Sequence, residues 1–248
     1  MAIGKGIVET AMENGATFAG IASMEALKMS ASHTIYNKMG DYAGVGTVKD
    51  DVLPDRQLFH WAESVRSELV IDLLHPKDKP ELDWWDGKGT PGNRILIDII
   101  KRTSQQIENN LKIKTHKLHY YVEKGGIFLK DAAVLAGLGC IGKNNMLITP
   151  SGGPRVRLRA LFLDAEIQPT GPIAFDPCAD CKTFCTKACP ENAMNCKVAI
   201  FKSKEFTEHL PGRDGSYNRD LCNVRMEKDV NESSKNNYGK QATIKYCR

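Results

Sequence analysis

The chain has 248 residues, 42% of them hydrophobic and 26% charged, proportions that exclude a disordered or fibrous architecture and allow a core large enough to fold unaided. A net charge of +4 without a long basic run does not indicate a nucleic-acid partner. No apolar run has the length of a membrane span, and the opening MAIGKGIVET has neither the apolar core of an export signal nor a twin-arginine pair, so a cytoplasmic protein without membrane contact is expected.

Residues 3–14 place Ile3, Ile7 and Met12 at near-helical spacing before Gly15, which predicts an opening amphipathic helix. Phe18 to Ala22 reads as a short buried strand. From Ser30 to Gly46 the pattern is irregular, with Tyr36, Tyr42 and several glycines; it suits a loop lining a ligand site and equally a plain connection. Glu68 to Leu74 reads as a buried strand and His75 to Gly89 as a long loop. Thr90-Pro91 is a helix entry, a capping hydroxyl followed by proline at the first position, and Leu96, Ile100, Thr103, Ile107 and Leu111 mark one face of the helix that follows. Lys117 to Val122 is expected to be a strand, and Ile127 to Ala136 a helix ended by Gly137 and Gly139. Two further strands are expected at Met146 to Thr149 and Arg155 to Leu163. In the second, apolar residues alternate with Arg155, Arg157 and Arg159, the period of a sheet with one polar face.

Strands interleaved with helices to about residue 165 indicate an α/β layered domain, and the prolines and glycine between Pro169 and Pro177 mark a linker into a cysteine-rich segment. The expected organisation is an α/β (or α+β) domain over 1–166 followed by a small domain over 167–248.

Five of the eight cysteines lie between Cys178 and Cys196, and a chain with no export signal directs them to metal ligation or redox chemistry rather than to disulfides. Cys178, Cys181, Cys185 and Cys189 form Cys-x2-Cys-x3-Cys-x3-Cys-Pro, one residue longer between its second and third cysteines than the bacterial ferredoxin run. Four thiolates in so short a segment suit a 4Fe-4S cubane; structural zinc, which more often joins two separated cysteine pairs, is the alternative, with a zinc-stabilised binding module as its functional counterpart. Cys196 on an apolar stretch is expected to be simply buried. In two-cluster ferredoxins the cysteine before proline serves the other cluster, which would draw remaining ligands from Cys222 and Cys247. A second motif opening at Cys247 would be cut off after its first residue, so either the sequence is truncated or only one cluster is complete.

From Asp131 onward the sequence resembles the corrinoid iron–sulfur reductases, the group of epoxyqueuosine reductase and the reductive dehalogenases. The matching residues are AGLGCIGKNNMLITP (Ala136 to Pro150), GPRVRL (Gly153 to Leu158), the Asp164 region and the cysteine run; FAGIA (Phe18 to Ala22) resembles the early strand of epoxyqueuosine reductases. The resemblance implies a nitroreductase-like domain cradling base-off cobalamin, then a ferredoxin-like domain whose one or two 4Fe-4S clusters feed electrons to cobalt. It implies a cofactor pocket built from Gly137, Gly139, Cys140, Gly142, Lys143, Asn144, Asn145 and Thr149; without the resemblance, the three glycines read as a helix cap and a tight turn. Asp131, Tyr36 and Tyr42 are the candidate proton donors, and Lys143 could stabilise negative charge. The implied partners are a small-molecule or modified-nucleoside substrate and an external donor such as ferredoxin or flavodoxin; a non-catalytic electron-transfer or corrinoid-handling protein is the competing expectation. The chain departs from the family in three ways. Asp131 lies nearer the glycine-rich stretch than the family's acid, Cys140 stands where a bulky or acidic residue is usual, and neither a carboxy-terminal helical-repeat region nor an export signal is present.

Overall fold

The two strongest strand patterns pair with each other at the centre of a four-stranded antiparallel sheet. This is seen in a computed structural model that describes residues 2–34, 36, 61–79, 82, 90–120, 122, 125–194, 218 and 221–228. The elements in chain order are α1 (Ala2–Glu13), β1 (Phe18–Ser23), α2 (Met24–Lys28), α3 (Ala31–Thr34), β2 (Ser67–Leu74), α4 (Pro91–Leu111), β3 (Thr115–Lys117), α5 (Leu129–Leu135), β4 (Cys140–Ile141), β5 (Leu147–Ile148), β6 (Val156–Leu163) and α6 (Phe184–Lys187). The sheet order is β1-β2-β6-β3, while β4 and β5 form a separate short ladder.

Register decides which side chains meet. Ala22, Glu68 and Phe162 form one cross-strand row, Gly20, Val70 and Ala160 the next, and Phe18, Asp72 and Leu158 a third, all on one face. That face is covered by α2 and α5, whose Met24, Leu27, Ala132 and Ala133 pack on it. On the other face Ile21, Leu69 and Leu161 meet Ile7 and Ala11 of α1 and Leu96, Ile99, Ile100 and Ile107 of α4. The result is a three-layer arrangement with a purely antiparallel sheet, and it bears out the layered α/β expectation in its coarse form.

Several local expectations are corrected. The buried stripe of α1 runs through Ile7 and Ala11, while Ile3 and Met12 are exposed, so the helix is right and its inner face is rotated. Thr90 occupies the extended N-cap position before Pro91, yet its hydroxyl makes no cap bond. Leu111 is exposed, and α4 instead buries Ile99 and Ser104 beside the expected residues. The strand expected at Lys117 to Val122 falls at Thr115–Lys117, paired with the end of β6. The arginine face of β6 is not a solvated one: α4 covers it, with Arg157 donating to Asn93 Oδ1 and Arg159 to the Leu118 carbonyl. Beyond β6 the chain stays pinned to the layers, because Ile167 enters the core and Thr170 Oγ1 accepts from Ile21 N (2.8 Å) and donates to the Ala136 carbonyl (2.7 Å).

Candidate functional site

The glycine-rich stretch begins where α5 ends. Leu138 N donates to the Ala133 carbonyl and Gly137 N to that of Val134, the paired bonds of a Schellman cap, with Gly137 left-handed at φ 79°. The chain then enters the β4–β5 hairpin. A methyl group on Gly139 would lie 2.1 Å from the Ile148 carbonyl oxygen, so only glycine lets the two strands meet there. At Gly142 the same addition would strike the end of the Ile148 side chain. Each of these glycines thus has a local structural reason, independent of any cofactor.

Around the turn, Asn144 Oδ1 accepts from Met146 N, and Asn145 takes a left-handed conformation at φ 59°. Lys130 Nζ from α5 donates to the carbonyl (2.6 Å) and side-chain oxygen (3.1 Å) of Asn145. Lys143 is half-buried on the same turn, and Thr149 is buried where it bridges to Gly153 and accepts from Gly152 N. A pocket of about 260 Å³ opens beside the hairpin, with Leu129, Met146, Leu147 and Val156 as its apolar wall and Lys130 and Arg157 among its polar lining. This is below the ~300–1,000 Å³ usual for small-molecule sites.

Asp131 sits in the first turn of α5 and is buried. Its Oδ2 accepts from Ser32 N (2.8 Å) and Ser30 Oγ (3.1 Å), and its Oδ1 accepts from Ser32 Oγ (2.9 Å). Ser30 Oγ also lies 2.7 Å from His33 Nδ1, and Phe128 N donates to His33 Nε2. Since Nε2 accepts, the ring proton lies on Nδ1 and points at Ser30. Burial outweighs the attraction of Asp131 and pulls His33 down to about 4, so the ring is neutral near pH 7. Tyr36 is buried edge-on to Phe128 at 5.7 Å, and His33 meets the same ring at 5.0 Å. The structure therefore gathers Asp131 and Tyr36 around a His33–Phe128 core, and no hydrogen bond or ion pair joins Lys143 to them; Tyr42 lies outside the described residues.

Sequence reasoning missed His33, Ser30 and Ser32, which lie in a stretch without periodicity, and the buried acids Glu68 and Asp72. The signal for the acids was two carboxylates inside the apolar run SELVIDLL.

The cysteine run follows as a loop with one helical turn. Cys178 is buried and its N–H donates to Asp176 Oδ1; Cys181 is exposed, and Cys185 is carried by α6. Burial raises the Cys185 thiol, reinforced by Cys178 and Cys181 against the Thr186 N–H, which places these three thiols within electrostatic reach of one another. Cys140 of β4 is almost wholly buried and its thiol is pushed up to about 11 by burial, then by the charges of Asp176 and Cys178. The chain leading into the run packs on the glycine-rich stretch, with Gly171 against Gly137. Cys222 lies in the helical stretch 221–228, preceded by Asn218, whose N–H donates to the Ala193 carbonyl. Cys196 and Cys247 lie outside the described residues, and none of the described cysteines is in a disulfide.

The run supplies the four thiols a cubane needs, but they do not converge: among the described residues no three His, Cys, Asp or Glu side chains are grouped to hold a metal ion. The 260 Å³ pocket beside the hairpin is too small to enclose a corrin macrocycle. No helix among them is long and apolar enough to cross a membrane.

Solved epoxyqueuosine reductases share this fold. The chain superposes on a selenomethionine-labelled epoxyqueuosine reductase with a TM-score of 0.64 at 18% identity, covering 100% of this chain and 64% of that one. On an epoxyqueuosine reductase holding an epoxyqueuosine-modified tRNA-Tyr stem loop the TM-score is 0.59 at 20% identity, over 90% and 64%. In sequence the chain resembles the same group. It is 28% identical over 198 residues to the epoxyqueuosine reductase of Leadbetterella byssophila, covering 77% of this chain and 64% of that protein. It is 34% identical over 149 residues to the tetrachloroethene reductive dehalogenase of Desulfitobacterium hafniense, covering 49% and 26%. The chain thus spans less than two thirds of the length of these relatives, and no family profile matches it.

Proposed function

We propose that the chain is an oxidoreductase of the epoxyqueuosine reductase and reductive dehalogenase type, in which a layered domain (1–166) receives electrons from a small iron–sulfur domain (167–248). The observation that carries this reading is the packing of the segment leading into the cysteine run on the glycine-rich stretch, where Thr170 Oγ1 donates to the Ala136 carbonyl and the Gly171 backbone lies against Gly137. Cys178, Cys181, Cys185 and Cys189 would hold a 4Fe-4S cluster, which supplies one-electron transfer when bound. Asp176 orients Cys178 through its N–H, α6 presents Cys185, and buried Cys140 keeps water from the hairpin side. Cys222 is the described cysteine available for a further cluster. The resemblance to corrinoid reductases would place cobalamin along Gly137 to Thr149. A modified nucleoside is the favoured substrate class, because one structural neighbour holds a modified tRNA stem loop. The donor would be an external ferredoxin or flavodoxin.

The likeness to a tetrachloroethene reductive dehalogenase supports a second reading, reduction of an organohalide. Anaerobic reconstitution tests the common core: about four irons and four sulfides per cluster are expected. Cys185→Ser should lower that content. One zinc per chain and no sulfide would overturn it. Corrinoid binding with a base-off spectrum, then turnover of an epoxide nucleoside against an organohalide, separates the two readings, while cobalt reduction without turnover of either would leave a corrinoid-handling protein.

A further inference from the structure

We propose that Glu68 is held as a neutral carboxylic acid in the core at neutral pH, and that its ionisation loosens the bonds from Ser30 and Ser32 to Asp131 that fasten α3 to α5. This inference does not rest on the proposed function.

Glu68 belongs to the central strand β2 and is wholly buried, on the face shared with Ala22 and Phe162. Neither of its carboxyl oxygens has a hydrogen-bond partner. An ionised carboxylate there would have lost its water and gained no donor, whereas the acid form buries no charge. Asp131, by contrast, accepts three hydrogen bonds from Ser30 and Ser32. Glu68, with no donor, keeps its proton.

Among the described residues, the elements packed around Glu68 present no cation to it. From β1 and β6 the facing residues are Gly20, Ala22, Ala160 and Phe162, none of them titratable. Asp72, two rows along the same face, is an acid bonded to Phe18 N. On α2, Glu25 and Lys28 are exposed; on α5, Lys130 is bonded to Asn145, leaving Asp131 as the inward charge. From α3 the titratable group is His33, neutral near pH 7 and turned to Ser30. Burial first and the Asp131 charge second raise Glu68 well above its ordinary value.

The sign of the pH effect follows. A group whose folded pKa is raised contributes stability that is fully present below the unfolded value and is lost as pH rises through the folded one. Once Glu68 ionises, a second buried charge acts on the Asp131 carboxyl that Ser30 and Ser32 bind. The bonds from Ser30 and Ser32 are the ones that yield, releasing α3.

Infrared spectroscopy of the wild-type protein across pH is the test. A protonated-carboxylic-acid carbonyl band should be present at pH 7, fade at alkaline pH, and be missing in Glu68→Gln. The folding equilibrium constant of the wild type should fall by up to about tenfold per pH unit above the ordinary glutamate range, a slope that E68Q lacks. At one alkaline pH, amides 30–34 should exchange faster in the wild type than in E68Q. Absence of the band at pH 7, as when a bound cation keeps both acids ionised, would overturn the proposal. So would an E68Q slope equal to wild type; should E68Q fail to fold, because its amide buries two N–H donors in place of one O–H, the wild-type band alone decides.

Discussion

Gly139→Ala should destabilise the cofactor-free protein strongly, while Gly142→Ala, three residues on in the same motif, should not. At Gly139 the added methyl lies 2.1 Å from the Ile148 carbonyl oxygen and 2.9 Å from its carbon, both backbone atoms. Restoring ordinary contact needs a shift of about 1.3 Å between strands whose hydrogen bonds tolerate a few tenths. The two-residue ladder, with its Cys140–Ile148 and Ile141–Leu147 pairs, cannot absorb that and remain paired. Overpacking of about 1–3 kcal/mol plus one or two lost hydrogen bonds of about 1 kcal/mol each gives a cost on the order of 2–5 kcal/mol. At Gly142 the obstacle is the mobile end of the Ile148 side chain, and the cost should stay at or below about 1 kcal/mol. With a urea m-value of about 3 kcal/mol/M, G139A should lower the unfolding midpoint by about 1 M and G142A by no more than about 0.3 M. Circular dichroism of the metal-free chain reads this directly. Equal midpoints for G139A and wild type, or equal losses in the two variants, would refute the assignment of Gly139 to strand approach and return it to the cofactor.

His33 offers a pH test of the opposite sign to Glu68. Its folded value, lowered to about 4 from 6.5, contributes stability that is present above pH 6.5 and lost as pH falls through that window, up to on the order of 3 kcal/mol. His33→Asn should flatten the slope between pH 6.5 and 4, and a wild-type His33 ring resonance titrating near 6.5 would contradict the burial argument. Thr170→Val should cost about 1–3 kcal/mol by stripping partners from Ile21 N and the Ala136 carbonyl. Thr170→Ser should recover most of that in thermal melts, and an unchanged Tm in T170V would show that the clamp contributes nothing.

The parts of the fold legible in the sequence were those where one local pattern dominates. SELVIDLL identified one central strand because a strand covered on both faces reads as a near-continuous apolar run, and VRLRALFL the other through its alternation of apolar residues with arginine. What failed was the assignment of faces. Ile3 and Met12 are as apolar as Ile7, and only the position of β1 and α4 decides that Ile7 and Ala11 turn inward. The arginines of β6 looked like a solvated face because alternation reports polarity and not what is stacked above it; α4, arriving from more than forty residues upstream, covers them and supplies Asn93. β4 was missed because a two-residue strand has no period.

The candidate site shows the same division in its chemistry. Spacing alone brings Cys178, Cys181, Cys185 and Cys189 into one short loop, and the structure keeps their thiols out of disulfides. What spacing does not report is the setting of each thiol: Cys178 is buried with its N–H donated to Asp176 Oδ1, Cys185 rides on α6 where burial raises its thiol, and Cys181 is exposed. A thiol ligates as the thiolate, so metal binding by this run would release protons and weaken as pH falls.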